Sequence, residues 1–466
     1  MKAWTLGEIA RLTDGVIVKG SEATEITRVV FDSRAATPDS LFVPIIGERV
    51  DGHDFIADAA GRGAVATLAG HTWLEHNPLP EIDVISVDLP ATALQRWAYR
   101  HLQGLQAHIV GITGSSGKTT TKEMVAAVLQ AKYCVLKNEG NLNTEIGLPL
   151  TVINALPQHE WLVLEMGMSS LGEIQLLTRI AKPDIAVITN VGEAHIELLG
   201  SRQNIAQAKG EILEGIASNG IAIINGDDAS ALSQVHKAPD KVIYFGLGPN
   251  QSQENRLYVT DLLNMGDHLE FAVNWQGEKR QLVFPWPGQH NVYNIAAALA
   301  VGVACGMSLG AAACGLANYA PAASRLNLKE ISGYTVIDDT YNANPTSMQV
   351  GLKVLLEYPH ATRRVAVLGD MLELGELAES AHLELGAAVA KHGVDELITV
   401  GQLARSIARG AIVAGLPPTR IRSFASNQEA ADYLKNTQQP KQLVLIKGSR
   451  GMCMEEIVEA LSGVGK

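Results

Sequence analysis

A glycine-rich segment between a buried strand pattern and a long helical pattern is the feature that most constrains this chain. Residues 108–113 form an apolar run, glycines stand at 111, 114 and 117, and a helical pattern begins at Lys118. A strand that turns through glycines into a helix exposes backbone N–H groups and the positive end of the helix dipole, which together bind phosphate. Lys118 adds a positive charge, and the Thr119 hydroxyl is a suitable Mg²⁺ ligand. The segment predicts a nucleotide phosphate site in a parallel α/β sheet.

The glycine spacing departs from the strict phosphate-loop pattern G-x-x-x-x-G-K-[ST]. Ile112 stands where that pattern has its first glycine, so the segment fits G-x-x-G-x-x-G-K-T instead. A glycine-rich turn that binds no ligand is the alternative interpretation. The Lys-Thr-Thr sequence at the helix start favours the phosphate site.

The chain length predicts several domains. A chain of 466 residues corresponds to roughly three domains of ordinary size. Pro78 and Pro80 interrupt the chain near the end of a first region, and a linker-like stretch precedes Arg325. We predict domains at residues 1–83, 84–321 and 322–466.

Alternation of apolar runs with helical segments predicts the α/β class throughout. The N-terminal region is interpreted as a small α/β domain, with a strand at 42–46 and a helix at 54–61. The central region is interpreted as a phosphate-loop domain with a parallel sheet, extended by antiparallel strands within residues 250–287 around a turn at 274–277. The C-terminal region is interpreted as a smaller, Rossmann-like doubly wound domain.

The charge balance argues against a nucleic-acid partner. The chain has 37 Lys and Arg against 49 Asp and Glu, which gives a net charge of −12. The uncharged stretch Ile295–Ala317 is rich in alanine and glycine, so two packed helices, the second capped by Ser308, are expected rather than a membrane span. The four cysteines are expected to be reduced and buried, and with no signal-peptide pattern we expect a cytoplasmic protein.

Three further segments carry candidate catalytic side chains. Glu165 ends a buried apolar run, where a carboxylate is costly unless it binds a cation. It could instead cap the next helix. His195 follows another strand and could equally be a packed histidine. Lys209 lies on a predicted helix, where a solvated surface lysine is the ordinary expectation.

Taken in order, these segments resemble the Mur ligases, which are ATP-dependent amide-forming enzymes of peptidoglycan precursor synthesis. The resemblance is carried by GITGSSGKTTTKEM, NVGEAHIELLGS, AKGEI and PGQHNVYNIAAALA. Four more segments, FDSR with LFVPIIGERVDGHDF, EGNLNTEIGLPL, DDTYNANPTSM and LGDMLELGE, are most similar to the type that joins D-alanyl-D-alanine to UDP-N-acetylmuramoyl-tripeptide. The resemblance covers nearly the whole chain. It implies those two small-molecule substrates, an acyl-phosphate intermediate and a monomer.

The resemblance also implies roles at the nucleotide. The ATP phosphates would be held by Gly114, Ser115, Ser116, Gly117, Lys118, Thr119 and Thr120. Thr119 and Glu165 would bind one Mg²⁺, and His195 a second together with a carbamylated Lys209. Asn294 would face the adenine, Arg325 would reach the γ-phosphate, and Asp339 would accept a hydrogen bond from the ribose. From sequence alone, Arg325 could be a solvated side chain and Asp339 a turn cap.

Implied substrate contacts lie in all three regions. Ser33 and Arg34 would meet the UDP part, although Asp-Ser-Arg is also a good turn sequence. The muramoyl chain would be contacted by Asn141, Asn143 and Thr144. The dipeptide or the peptide end would be held by Lys447, Ser449 and Arg450, which could instead form a basic surface loop.

Two alternatives remain open from the sequence. A ligase similar to folylpolyglutamate synthase would share the nucleotide machinery, but the separate leading domain argues against it. A P-loop ATPase switch would hydrolyse ATP without a small-molecule acceptor. Such a switch is expected to carry a coiled coil or a basic stripe for its partner, and neither pattern is present.

Overall fold

The computed structural model describes residues 2–47, 50–193, 195–322, 324–359 and 361–463. Its three main sheets follow one another along the chain, in the order predicted from the apolar runs. The three-domain α/β class is therefore confirmed.

The N-terminal sheet has five strands in the order β2-β7-β6-β5-β4, all parallel except for the β2–β7 pair. A separate two-stranded ladder joins β1 and β3. The elements are β1 (Trp4–Thr5), α1 (Leu6–Thr13), β2 (Val16–Lys19), β3 (Glu25–Ile26), β4 (Arg28–Val30), β5 (Ser40–Phe42), α2 (Ile56–Gly61), β6 (Ala64–Gly70), α3 (His71–His76), β7 (Asp83–Val87) and α4 (Pro90–Gln103).

Two local expectations for this region need adjustment. The strand expected at 42–46 covers Ser40–Phe42 instead, and the chain leaves the sheet before Pro44, which has no N–H to donate. The helix expected at 54–61 is a single 3₁₀ turn, Gly52–Phe55, followed by α2. Strand β7 runs to Val87 within the N-terminal sheet, so that sheet extends past the division that we place after residue 83.

The central sheet has nine strands in the order β16-β15-β14-β13-β12-β11-β8-β10-β9, parallel from β14 to β9. The elements are β8 (His108–Thr113), α5 (Lys118–Gln130), β9 (Val135–Lys137), α6 (Gly147–Ile153), β10 (Trp161–Glu165), α7 (Glu173–Ile180), β11 (Ile185–Ile188), α8 (Ile196–Leu199), α9 (Arg202–Glu214), β12 (Ile221–Asn225), α10 (Ala229–Leu232), β13 (Val242–Leu247), β14 (Arg256–Asn264), β15 (Leu269–Trp275), β16 (Glu278–Phe284), α11 (Asn291–Ala304) and α12 (Leu309–Leu316).

The expected antiparallel extension is β14–β16. Its second hairpin turns through Gln276 and Gly277, both with positive φ (46° and 84°), as a tight two-residue turn of this kind requires. The uncharged stretch is two helices, α11 and α12, which pack against α5, and the Ser308 side chain accepts a hydrogen bond from Ala311 N at 3.2 Å. Among the described residues, none of the helices combines the length and the apolar character that crossing a bilayer would need.

The C-terminal sheet has six strands in the order β17-β18-β22-β19-β20-β21, with only β17 antiparallel to its neighbour. The elements are β17 (Asn327–Ile331), β18 (Tyr334–Asp339), α13 (Pro345–Glu357), β19 (Arg363–Gly369), α14 (Ala378–His392), β20 (Glu396–Val400), α15 (Ala404–Val413), β21 (Ile421–Phe424), α16 (Asn427–Asn436), β22 (Gln442–Lys447) and α17 (Glu455–Ser462). Separate apolar clusters cover its two faces, as expected of a doubly wound sheet.

The tip of the β14–β15 hairpin touches the C-terminal domain. Asn264 Nδ2 donates a hydrogen bond to Glu357 Oε2 at 2.6 Å, at the end of α13. A Cβ on Gly266 would lie only 2.2 Å from Glu357 O, so the two elements are in close contact. The domains are also joined at α13 by Lys353 Nζ, which donates a hydrogen bond to Gln289 Oε1 at 2.8 Å.

The cysteine prediction is half right. All four thiols are free, but the expectation of burial is wrong, because Cys134, Cys314 and Cys453 are exposed and Cys305 is partly buried. Burial of a lone small residue depends on tertiary packing that a sequence pattern does not reveal.

Candidate active site

The phosphate loop follows β8 at the carboxyl edge of the central sheet, and α5 begins at Lys118 as predicted. Two of its glycines are required by close approach. A Cβ on Gly114 would lie 1.9 Å from Thr189 Oγ1, and a Cβ on Gly117 would lie 2.5 Å from Asn294 Oδ1. Gly117 also has φ +74°, a left-handed conformation that glycine adopts without strain. The backbone can therefore pack closely where a phosphate would bind.

The end of β11 holds this loop in place. Asn190 accepts hydrogen bonds from Ser115 N through its carbonyl and from Ser116 N through its side chain, both at 3.0 Å. The Thr189 hydroxyl donates to Ser116 O at 2.7 Å. The Ser115 hydroxyl is buried and has no hydrogen-bond partner among the described residues. The loop is therefore preformed and keeps a free polar group.

Lys118 folds back over the loop, with Nζ donating to Gly114 O at 2.9 Å. Burial lowers the pKa of Lys118; the charge of Glu165 opposes that shift, and the charge of Arg325 adds to it. Arg325 comes from the C-terminal domain, so the structure brings the two cations into one electrostatic environment. An anion between them would be stabilised by both charges.

Glu165 lies beside the phosphate loop, at the end of β10, and is only 2% exposed. Its Oε2 accepts a hydrogen bond from Thr119 Oγ1 at 2.7 Å, and its Oε1 accepts one from Asn143 Nδ2 at 2.8 Å. Hydroxyl and carboxylate oxygens are the ligands that Mg²⁺ prefers, with the remaining positions taken by water and phosphate. The donor set fits such a site. Within the described ranges, no group of three or more His, Cys, Asp or Glu could enclose a metal without those extra ligands.

His195 and Lys209 both lie in buried surroundings near Lys118. Burial and the charges of Lys118 and Lys209 lower the pKa of His195 to about 4, so its ring is neutral at pH 7. Its Nδ1 is buried without a hydrogen bond in the described part of the chain, and lies 3.9 Å from Glu373 Oε2 of the C-terminal domain. A neutral imidazole with an unpartnered nitrogen fits a metal ligand.

Lys209 is only 2% exposed, so the expectation of a solvated surface lysine is wrong. Burial, with a smaller contribution from Lys118, lowers the pKa of Lys209 well below its usual value. No hydrogen bond or ion pair joins its amine to any other residue that the structure describes. A buried lysine without an anionic partner is unusual and points to chemistry at this position.

Asn294 lies on α11 and faces the start of α5. Its Oδ1 accepts a hydrogen bond from Thr121 Oγ1 at 3.2 Å, and its Nδ2 donates to Asn291 Oδ1 at 3.3 Å. With Gly117 alongside, Asn294 is thus part of the wall of the phosphate loop.

In the C-terminal domain, the Arg325 guanidinium stacks on the Tyr341 ring, with 4.0 Å between Cζ and the ring centroid. Asp339 and Lys447 lie opposite each other on β18 and β22 and form a buried ion pair at 2.6 Å. Lys447 Nζ also donates to Asn342 O at 2.8 Å. Burial raises the pKa of Asp339 against the opposing effect of Lys447. These two predicted ligand-binding residues are thus already bound to each other.

Ser449 and Arg450 differ in whether their side chains keep hydrogen-bonding groups available for a ligand. The Ser449 hydroxyl accepts from Leu372 N at 2.8 Å and donates to Ala343 O at 3.3 Å, so it ties three loops together. Arg450 is exposed and pairs with Glu455 at 2.7 Å. Arg450 keeps further donors open to solvent.

The residues predicted for the UDP end lie in the N-terminal domain. Asp32 caps the 3₁₀ turn Ser33–Ala35 and pairs with Arg34 at 2.7 Å on the surface. Hydrogen bonding from Ser33 is the largest cause of a lowered pKa at Asp58. Ser33 and Arg34 lie between β4 and β5 of the N-terminal sheet, whereas the phosphate loop follows β8 of the central sheet. A substrate that contacts both places has to span two domains.

The 141–144 loop reaches the Glu165 carboxylate through one of its three predicted substrate-binding residues. Asn141 and Thr144 are exposed, and Thr144 Oγ1 accepts from Gly147 N at the start of α6. Asn143 alone of the three contacts Glu165. Two important residues, Asn138 and Asn190, were missed by the sequence reasoning. A polar residue one or two positions after the end of a parallel strand is the signal that could have found both.

Three family models match the chain, which agrees with this site. They are described as Mur ligase family, catalytic domain (residues 25–100), Mur ligase middle domain (112–302) and Mur ligase, glutamate ligase domain (324–450). A Bacillus subtilis protein named UDP-N-acetylmuramoyl-tripeptide–D-alanyl-D-alanine ligase is 40% identical over 98% of both chains.

Solved structures agree with these matches. MurF from Acinetobacter baumannii superposes with a TM-score of 0.88 at 32% identity, covering 99% of both chains. MurF ligase from Thermotoga maritima, solved in complex with ADP, gives a TM-score of 0.79 at 31% identity, covering 94% of this chain and 97% of that one. The chain therefore belongs to the Mur ligase family.

Proposed function

We propose that this chain is an ATP-dependent ligase that joins D-alanyl-D-alanine to UDP-N-acetylmuramoyl-tripeptide. The products are the UDP-linked pentapeptide precursor of peptidoglycan, ADP and phosphate. The observation that carries the proposal is the match to the Bacillus subtilis relative of that name over 98% of both chains. The preformed loop with Lys118, beside Glu165 and Thr119, supports ATP as the energy source.

The chemistry begins with a carboxylate that has no leaving group. The peptide carboxylate attacks the γ-phosphorus of ATP, the bond to the β–γ bridging oxygen breaks, and an acyl phosphate and ADP form. The amine of D-alanyl-D-alanine then attacks the acyl carbon, loses a proton, and expels phosphate. Phosphoryl transfer depends on positioning and charge neutralisation, which Lys118 and Arg325 supply from two domains. Closure of these domains excludes water, which would hydrolyse the acyl phosphate.

Mg²⁺ would neutralise charge on the phosphates, and the chain offers two places for it. Thr119 and Glu165 form the first oxygen pair, 2.7 Å apart. His195, with its unpartnered Nδ1, would contribute to the second together with Lys209.

Lys209 could serve there only as an anion. Its lowered pKa favours the neutral amine, whose nitrogen can attack CO₂, form a C–N bond and release one proton, which leaves a carbamate. No described residue forms an ion pair with this amine, so its nitrogen is free for that reaction, which supports the carbamate.

Substrate binding would extend over the three domains. Ser33 and Arg34 would hold the UDP part, and Asn141, Asn143 and Thr144 the muramoyl chain. The exposed Arg450 would bind a carboxylate of the dipeptide or the peptide end, with Lys447 and Ser449 holding the surrounding loops. Asn294 would lie on the adenine side and Asp339 near the ribose. We propose a monomer that acts in the cytoplasm.

The test is phosphate release from ATP with UDP-N-acetylmuramoyl-tripeptide and D-alanyl-D-alanine, each omitted in turn. We expect release and a new amide product only with both present. Release that needs neither cosubstrate would refute the ligase and favour an ATPase switch. Release with a folate and glutamate in their place would favour an enzyme similar to folylpolyglutamate synthase.

A further inference from the structure

The side chain of Asn138 continues a β-ladder beyond the point where its own strand ends. Strand β9 stops at Lys137, whose parallel partner on β10 is Val163. One residue later, Asn138 Oδ1 accepts a hydrogen bond from Glu165 N at 2.9 Å, and Asn138 Nδ2 donates to Glu165 O at 3.0 Å. A side-chain amide thus takes the place of a main-chain peptide and satisfies both backbone groups of Glu165.

The same amide also fixes the loop that reaches the Glu165 carboxylate. Asn138 Nδ2 donates a second hydrogen bond, to Leu142 O at 2.8 Å. The next residue is Asn143, whose amide donates to Glu165 Oε1 at 2.8 Å. One fully buried asparagine therefore holds the Glu165 backbone and the neighbour that orients one carboxylate oxygen.

Lys122 anchors Asn138 in turn. Lys122 lies on α5, three residues after Thr119, is 0% exposed, and donates a hydrogen bond from Nζ to Asn138 O. Its charge is balanced by Glu123 at 3.2 Å. The contacts form a closed ring: Thr119 binds Glu165, Glu165 binds Asn138, Asn138 binds Lys122, and Lys122 returns to the helix of Thr119.

We infer that Asn138 is a positioning residue that holds the Thr119–Glu165 oxygen pair in the arrangement that binds the nucleotide-associated cation. The inference rests on the proposed function and names a residue outside the phosphate loop and outside the cation ligands. Partners that orient a ligand from behind commonly change metal affinity by about 10- to 100-fold when removed. A purely architectural role, in which Asn138 only satisfies buried backbone groups, would lower stability and leave cation affinity unchanged.

The test is the affinity of a non-hydrolysable ATP analogue, AMP-PNP, measured by calorimetry with Mg²⁺ and with EDTA. For Asn138→Ala we expect an AMP-PNP affinity within about twofold of wild type in EDTA. The Mg²⁺ gain, which is the ratio of the affinity with Mg²⁺ to the affinity with EDTA, is expected to be about tenfold smaller than in wild type. The control is Asn154→Ala, which removes a comparable bond from Nδ2 to Leu150 O (2.7 Å) at the far end of α6. It is expected to lower the urea midpoint without changing the Mg²⁺ gain.

Lys122→Met serves as the second variant if Asn138→Ala does not fold. It removes the hydrogen bond to Asn138 O, while Glu123 keeps Lys137 as an ion-pair partner, and it is expected to reduce the Mg²⁺ gain as well. An unchanged Mg²⁺ gain in the folded Asn138→Ala protein would overturn the inference while leaving the proposed function intact. A wild-type protein that binds no nucleotide would overturn the proposed function and this inference with it.

Discussion

Replacing Lys209 by methionine tests the most unusual group in the site. The side chain is 2% exposed, and its amine has no partner in the described residues. Methionine has a similar length and no polar group, so Lys209→Met keeps the packing and removes the buried amine. Burying an ionisable amine costs up to about 1.4 kcal/mol of stability for each unit by which its pKa is lowered. We therefore expect the variant to be more stable than wild type and inactive as a ligase.

The pH dependence of this gain follows from the lowered pKa of Lys209. At a pH between the pKa of Lys209 in the folded protein and its pKa in the unfolded chain, unfolding lets this lysine bind a proton that the folded protein excludes. Wild-type stability consequently rises with pH, by up to about 1.4 kcal/mol per pH unit between the folded and unfolded pKa values. The methionine variant lacks this dependence, so its advantage is largest at the lowest pH and shrinks as pH rises.

The assay is urea unfolding of both proteins at pH 7, 8 and 9, followed by tryptophan fluorescence without nucleotide. Bicarbonate is left out so that the wild-type amine stays unmodified. Lys241→Met, at an exposed lysine, is the matched control and is expected to show no pH-dependent difference. A stability difference between Lys209→Met and wild type that stays constant across this range would refute the reasoning.

Three further changes have expected outcomes. Lys118→Ala removes the loop cation and is expected to abolish product formation; near-normal turnover in the phosphate assay would rule out its role. Arg325→Ala is expected to lower kcat by more than it weakens ATP binding, because the charge acts on the transferring phosphoryl group; an unchanged kcat would exclude it from the mechanism. Gly114→Ala places a methyl group 1.9 Å from Thr189 Oγ1 and is expected to abolish AMP-PNP binding in calorimetry, while Gly61→Ala, whose Cβ meets nothing within 4 Å, is expected to leave binding unchanged.

The phosphate loop could be predicted because its signal is local. Glycine spacing, the apolar strand before it and Lys118 after it all lie within about a dozen residues, and the structure has the strand and helix there. The antiparallel extension was predictable for the same reason, since Gln276 and Gly277 form the turn between two alternating runs. Short-range patterns report backbone geometry directly.

The pairing of Asp339 with Lys447 could not be read from the sequence. The two residues are far apart in the chain and become neighbours only through the register of β18 against β22. The burial of Lys209 was hidden likewise, because its helical segment looks like an exposed face until α7 and α8 pack beside α9. Long-range register and helix packing decide these contacts, and a single sequence carries neither.

The contact between Asn264 and Glu357 restricts how the C-terminal domain can turn. The last helix of the central domain ends at Leu316 and the first strand of the C-terminal domain begins at Asn327, and the hairpin tip is well removed from both in sequence. The helix of Glu357, α13, has another contact with the central domain, because Lys353 Nζ donates a hydrogen bond to Gln289 Oε1 at 2.8 Å. A rotation of the C-terminal domain therefore has to break polar contacts at α13.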